Sequence, residues 1–152
     1  MKKKILITAF EPFGGLDLNS SSMVLDNIKS TYKNILVSKQ KLPVLYGEAF
    51  AILSGYMDSF KPDLVICMGQ AGGRKNISIE RIAVNINSGT LPDNGGILKT
   101  DRIIIEKSPN AYFTNLPYKK MLEAGKQQVQ LSYSAGTYIC NDIFYRLMHN
   151  IN

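Results

Sequence analysis

Short β-branched apolar runs alternate with an amphipathic segment in the first seventy residues, and this alternation restricts the fold more than any other feature. The runs are bounded by Gly, Pro or polar residues, which is typical of strands buried on both faces; they cover residues 5–10, 34–38 and 63–69. From Tyr46 to Phe60 apolar residues recur at three- and four-residue spacing, and Lys61-Pro62 then stops the helix. This order predicts an α/β fold with a largely parallel twisted sheet flanked by helices.

The chain length suits one domain. With 152 residues and 45% hydrophobic content, it can bury one ordinary core, so we predict a single domain over residues 1–152. Two further helices are predicted at 21–32 and 118–124, the second closing at Gly125. The run 77–86 is predicted to be one more strand.

Charge and cysteine content argue against several functional classes. The net charge of +6 comes from basic residues that are dispersed apart from two short clusters, so no nucleic-acid partner is predicted. The apolar run near the N-terminus is too short for a signal peptide and no stretch could span a membrane, so we predict no membrane partner. Two distant cysteines without a Cys/His cluster indicate a reducing cytoplasm, with neither a metal nor a cofactor.

Glu80 lies within the apolar run 77–86, where strand parity places it on the face of Ile82, Val84 and Ile86. A carboxylate aimed at an apolar layer needs a partner. Either Glu80 forms an ion pair with an arginine such as Arg74 or Arg81, or lies at a wet edge, or it has a catalytic role. The pattern leaves these alternatives open.

The two cysteines have different settings. Cys67 lies inside an apolar strand, where a thiol is typically an inert small hydrophobe. Cys140 follows SAGT, which offers Thr137 as an N-cap and places the thiol in the first helical turn. Backbone N–H groups and the helix dipole favour a thiolate there, although helical cysteines are also commonly just packed.

Glycine-rich loops follow two strands, at 13–15 and 69–74, and a third dense turn covers 90–96. Loops of this kind let a ligand approach the backbone at the edge of an α/β sheet, and they match neither a dinucleotide fingerprint nor a P-loop. With Phe10 and Phe13 they could line a small apolar pocket, or both phenylalanines could be plain core.

Five ordered motifs resemble the pyroglutamyl peptidase type I family, also called pyrrolidone-carboxylate peptidase. They are ITAFEPFGG at 7–15 with Asn19, GQAGGR at 69–74, IERIAVN at 79–85, LPDN at 91–94 and SAGTYICN at 134–141. The resemblance implies a cytoplasmic cysteine peptidase that removes N-terminal pyroglutamyl residues from peptides with a Cys–His–Glu triad, and that tends to form homo-oligomers. It assigns Cys140 as nucleophile and Glu80 as the carboxylate. It places the pyroglutamyl pocket near Phe10, Phe13, Asn19, Gln70, Leu91, Tyr138 and Ile139.

The resemblance also implies a catalytic histidine in a segment that follows Cys140 beyond Asn152, so the chain is predicted to be truncated at its C-terminus relative to the family. His149, the only histidine, lies nine residues after Cys140. In one helix this separation is about half a turn out of phase and about 13 Å along the axis, too far for a general base. The alternatives are a peptidase represented by a truncated chain, a pyroglutamyl-binding protein without turnover, or an inactive fragment.

Overall fold

The computed structural model describes residues 2–152, which form two compact units. The first comprises the chain up to Gln70 together with Leu91–Leu98, and the second comprises Ala71–Thr90 with Lys99–Asn152. In chain order the elements are β1 (Lys3–Phe10), α1 (Ser20–Asn27), β2 (Thr31–Tyr32), β3 (Ile35–Leu42), α2 (Glu48–Phe60), β4 (Leu64–Cys67), β5 (Ile77–Glu80), β6 (Ile82–Val84), β7 (Ala111–Phe113), α3 (Tyr118–Gly125), β8 (Val129–Ser132) and α4 (Ile139–Ile151).

The first unit contains a four-stranded sheet in the order β2-β3-β1-β4. The central strand β1 pairs in parallel with β3 and with β4, whereas the short β2 is antiparallel to β3. Residues 6–10 of β1 are all buried, which is the burial expected of a strand covered on both faces. The α/β fold with a largely parallel sheet is therefore confirmed for this unit.

Helix α1 differs from its prediction. Asn19 is the N-cap, and the helix ends at Asn27 because the backbone becomes extended at Ile28 and then enters β2. Its buried residues are Ser21 and Leu25. Helix α2 ends where Lys61 takes a left-handed conformation with φ 52°, before Pro62, as the stop signal predicts.

The prediction of one strand over 77–86 is wrong, because the run changes partners at Arg81. β5 pairs in parallel with β8, and β6 pairs antiparallel with β7. The Arg81 N–H donates to the Ser132 carbonyl (2.8 Å), while the Arg81 carbonyl accepts from the Thr114 N–H (2.9 Å). The buried residues of the run are Ile79, Ala83 and Asn85, so the face of Glu80, Ile82, Val84 and Ile86 is only half-buried.

Helix α4 supplies much of the interior of the second unit. Tyr145 is fully buried and packs in a cluster with Ala83 and Ile104. Helix α3 covers Tyr118–Gly125, close to its predicted extent. Across residues 2–152, none of the helices combines the length and the apolar character needed to cross a lipid bilayer.

Candidate active site

Cys140 is the second residue of α4. The N-cap is Tyr138, with an extended backbone and no side-chain capping bond, and not Thr137 as the sequence predicts. Thr137 lies one residue before the N-cap, and its hydroxyl donates to the Ser88 carbonyl (2.6 Å). The predicted placement of Cys140 in the first helical turn is nevertheless observed.

Glu80 is the last residue of β5, and its side chain is 24% exposed. Its Oε1 accepts a hydrogen bond from Nη1 of Arg74 at 2.7 Å. Arg81 does not pair with it; its guanidinium lies over the ring of Tyr118, 3.9 Å from the centroid. The second oxygen, Oε2, is buried and has no hydrogen-bond partner within residues 2–152. Glu80 is thus half of an ion pair and also presents one unused buried acceptor.

Arg74 joins Glu80 to the segment that leads to Cys140. Besides Glu80, its guanidinium donates to Oγ of Ser132 and to the carbonyl of Ser134, both at 3.3 Å. Ser134 opens the SAGTYICN motif, so the ion pair fixes the start of that motif relative to the end of β5. Arg74 therefore links Glu80 by hydrogen bonds to the beginning of the motif that contains Cys140.

In the first unit, Asn19 is buried and its polar atoms are fully engaged. Oδ1 accepts from the backbone N–H of Ser21 (3.0 Å) and from its hydroxyl (2.7 Å), while Nδ2 donates to the Glu11 carbonyl (3.0 Å). Phe10 is also buried, at the end of β1, whereas Phe13 is half-buried. Asn19 and Phe10 therefore shape the opening motif from the interior.

The other predicted pocket residues of this unit lie around the same motif. Gln70 accepts from the Ser20 N–H through Oε1 (2.7 Å). Leu91 is 47% exposed, and a methyl group placed on Gly14 would lie 3.5 Å from its Cδ1. Asn94 donates to the Pro12 carbonyl (2.9 Å). The LPDN motif and the opening motif are thus held together, as their joint assignment to a pocket requires.

Tyr138 and Ile139 immediately precede Cys140 in the second unit. Tyr138 is half-buried, whereas Ile139 is 1% exposed and belongs to the interior. Ile139 therefore acts by packing the first turn of α4.

Two further buried polar residues, Asp93 and Asn141, lie within the quoted motifs and were not predicted. Asp93 accepts from the N–H groups of Gly95 (2.9 Å) and Ile97 (2.8 Å) through Oδ1, and from the Tyr46 N–H (3.0 Å) through Oδ2. Asn141 contacts the backbone of β6. The sequence signal was a short polar side chain two residues before Gly95 or next to Cys140, which is typical of side-chain to backbone hydrogen bonding.

His149 lies in the last turn of α4, nine residues after Cys140. Its Nδ1 is 2.9 Å from the Tyr112 hydroxyl, and its ring stacks on Tyr145 with centroids 6.4 Å apart. At about 1.5 Å of rise per residue, the intact helix places it about 13 Å from Cys140 along the axis. His149 therefore cannot take a proton from the Cys140 thiol within the chain.

Thiol alkylation is expected to modify Cys140 well before Cys67. Burial raises the pKa of the Cys67 thiol to about 11, so at neutral pH fewer than about one molecule in a thousand carries its thiolate. Cys140 lies where the helix N-terminus favours a thiolate. Peptide mapping by mass spectrometry after limited alkylation at pH 7.5 measures the order, and Cys67 labelling should rise only as the pH approaches 11. Faster labelling of Cys67 at pH 7.5 would contradict the assignment.

Comparison with protein families matches residues 3–152 to the family described as pyroglutamyl peptidase. The chain belongs to the pyroglutamyl peptidase family. The resemblance carried by the five motifs is thereby confirmed, and the chain is a hydrolase of the peptidase class.

Individual members of the pyroglutamyl peptidase family agree with this assignment. The chain is 43% identical to the pyrrolidone-carboxylate peptidase of Thermosipho africanus, over 98% of the chain and 74% of that protein. It is 40% identical to that of Yersinia pestis, over 99% of the chain and 72% of that protein. The crystal structure of pyroglutamyl peptidase I from Bacillus amyloliquefaciens superimposes with a TM-score of 0.94 at 36% identity, covering 99% of the chain and 74% of that structure.

Proposed function

We propose that the chain is a cysteine peptidase acting on peptides with N-terminal pyroglutamate, in which Cys140 is the nucleophile and Glu80 orients an imidazole. The observation that carries this assignment is Oε2 of Glu80, a buried carboxylate oxygen without a hydrogen-bond partner within residues 2–152. A buried acceptor left unmatched is costly, so such groups call for a functional explanation. The ring N–H of a triad histidine is the donor that would satisfy it.

The chemistry then follows from the position of Cys140 at the start of α4. Its thiolate attacks the carbonyl carbon of the pyroglutamyl residue, and N–H groups of the first helical turn favour the oxyanion. The C–N bond breaks as a protonated imidazole gives its proton to the leaving amine, leaving a thioester. Water, deprotonated by the same imidazole, then attacks the thioester and releases pyroglutamate and the thiolate.

The imidazole of this triad is proposed to come from outside residues 1–152. His149 is the only histidine in the sequence, and it is engaged by Tyr112 at the far end of α4. This arrangement favours a second candidate for the 152 residues taken alone, which is binding of pyroglutamyl peptides without turnover. We further propose that the protein is cytoplasmic, tends to form homo-oligomers and binds neither nucleic acid nor a membrane.

Recognition of the pyroglutamyl ring is proposed for the residues that the resemblance assigns. The ring is flat and uncharged, so apolar walls with a few fixed hydrogen bonds accept it and reject a charged N-terminus. Phe13 and Leu91 retain exposed surface for such contact, whereas Phe10, Asn19 and Ile139 are buried. Gln70 is fixed through its Oε1, and Tyr138 adjoins the nucleophile.

An activated ester tests this proposal on the chain as it exists. A pyroglutamyl 4-nitrophenyl ester needs no proton on its leaving group, so we expect one pyroglutamyl thioester to form on Cys140, detected by mass spectrometry. The Cys140→Ser variant should form no thioester. The prolyl ester, which carries a charged amine in place of the lactam, is the control and should react much more slowly. Acylation of Cys67, or equal reaction of both esters, would contradict the proposal.

A further inference from the structure

The segment that carries Cys140 is fixed to one edge of a single backbone stretch, residues 84–88. The N–H groups of Asn85 and Asn87 donate to the carbonyls of Asn110 (2.8 Å) and Arg102 (2.7 Å). Backbone groups of alternate residues in an extended chain point to opposite edges. Val84, Ile86 and Ser88 therefore present their N–H and C=O groups to the other edge.

Asn141 occupies that other edge as a neighbouring strand would. Its Oδ1 accepts from the Val84 N–H (2.9 Å), and its Nδ2 donates to the carbonyls of Val84 (2.9 Å) and Ile86 (3.0 Å). The residue is 0% exposed. One side-chain amide thus satisfies three backbone groups that would otherwise be unpaired at a buried strand edge.

Thr137 continues the same edge at Ser88. The Ser88 N–H donates to the Thr137 carbonyl (2.8 Å), and the Thr137 hydroxyl donates to the Ser88 carbonyl (2.6 Å). Thr137 and Asn141 lie three residues before and one residue after Cys140. Cys140 therefore lies between two residues, Thr137 and Asn141, that are both hydrogen-bonded to the same strand edge.

We propose that Asn141 and Thr137 are positioning residues that hold Cys140 and the first-turn N–H groups of α4 in the geometry required for thiolate attack. The proposal rests on the assignment of Cys140 as nucleophile. The hydrogen bonds do not reach the thiol; they act by fixing the backbone on both sides of it. The N-cap Tyr138 contributes no side-chain capping bond to the first turn, and the two attachments lie on either side of that turn's start.

The test compares two near-isosteric substitutions with matched controls in the same unit. Asn141→Leu removes all three bonds, and Thr137→Val removes only the hydroxyl. Asn85→Leu is the control for the first, because the buried Asn85 side chain makes a similar set of bonds to the backbone of Ile104 (3.1 Å) and Ile105 (2.9 and 2.8 Å), outside the segment that carries Cys140. Thr114→Val is the control for the second, since the Thr114 hydroxyl accepts from the Leu116 N–H (3.2 Å), which lies outside the segment that carries Cys140.

The readout is the pH–rate profile of Cys140 alkylation, a reaction that requires neither a pyroglutamyl substrate nor a triad histidine. We expect its midpoint to move upward by about 0.5–1 pH unit in Asn141→Leu and by less in Thr137→Val, because the thiolate loses aligned helix N–H groups. The limiting rate at high pH should stay the same or rise. Both controls should leave the midpoint unchanged even where they lower the melting temperature.

Two results would overturn the proposal. One is a midpoint in Thr137→Val, the variant that retains the most packing, equal to that of the parent chain. The other is an equal shift in Asn141→Leu and Asn85→Leu, which would show a general loss of stability. If Cys140 alkylation obeys the expected pattern while the activated ester fails to acylate it, the positioning role stands and the assigned substrate is wrong.

Discussion

Residues 1–152 alone are expected to give no measurable steady-state cleavage of a pyroglutamyl amide, at least about 10⁴-fold below a chain that supplies the imidazole. The leaving amine needs a proton and the thioester needs an activated water, and His149 lies about 13 Å from Cys140 along α4. The measurement is amine release from a pyroglutamyl amide under multiple turnover, against the same chain extended with the C-terminal part of the Thermosipho africanus relative.

His149→Ala is the internal control for this result. It should change neither the residual activity of the 152 residues nor the turnover of the extended chain. The reason is that His149 contacts Tyr112 and Tyr145 at the C-terminal end of α4, far from Cys140. Turnover of the amide by the unextended chain that disappears in His149→Ala would show that the histidine reaches a nucleophile, either through a broken helix or from a second copy.

Asp142→Ala is expected to lower the free energy of unfolding by about 3 kcal/mol, the largest stability loss predicted for a polar substitution here. Asp142 is fully buried and accepts from Nδ2 of Asn87 (2.6 Å) and Nε of Arg146 (3.0 Å). Its removal leaves a half-buried guanidinium and a buried amide without their acceptor. A urea denaturation curve of each protein measures the change.

The same substitution at an exposed ion pair provides the comparison. Asp26 binds Lys41 at 2.9 Å, with side chains 59% and 45% exposed, so Asp26→Ala should cost at most about 1 kcal/mol. Equal losses in Asp26→Ala and Asp142→Ala would show that the buried cluster does not stabilise the second unit.

The parallel strands and α2 could be predicted because their signals are local. β1, β3 and β4 are short apolar runs between breakers, and α2 has both a periodic apolar face and a stop at Lys61. The run 77–86 could not be divided from sequence, since no Gly or Pro interrupts it. Its division at Arg81 depends on which distant strand, β7 or β8, supplies the partner backbone.

The candidate site was predictable in its residue types and not in its contacts. Cys140 and Glu80 follow from the motifs, but the choice of Arg74 over Arg81 depends on tertiary geometry, since Arg81 is drawn away by the rings of Tyr118 and Phe113. Thr137 is a residue type that suits an N-cap, yet its hydroxyl donates a hydrogen bond to the distant Ser88 carbonyl. The sequence therefore indicates which side chains can donate hydrogen bonds, whereas their actual acceptors depend on contacts between residues distant in sequence.

The division of the chain into units has a consequence for the order of events during synthesis on the ribosome. Residues 91–98 belong to the first unit, although twenty residues of the second are translated before them. Until Asp93 and Asn94 leave the exit tunnel, two hydrogen bonds cannot form: that from the Tyr46 N–H to the Asp93 carboxylate, and that from the Asn94 N–H to the Val44 carbonyl. The nascent N-terminal sheet can therefore form early, but the loop that follows β3 completes its hydrogen bonding only after the strand bearing Glu80 has already emerged.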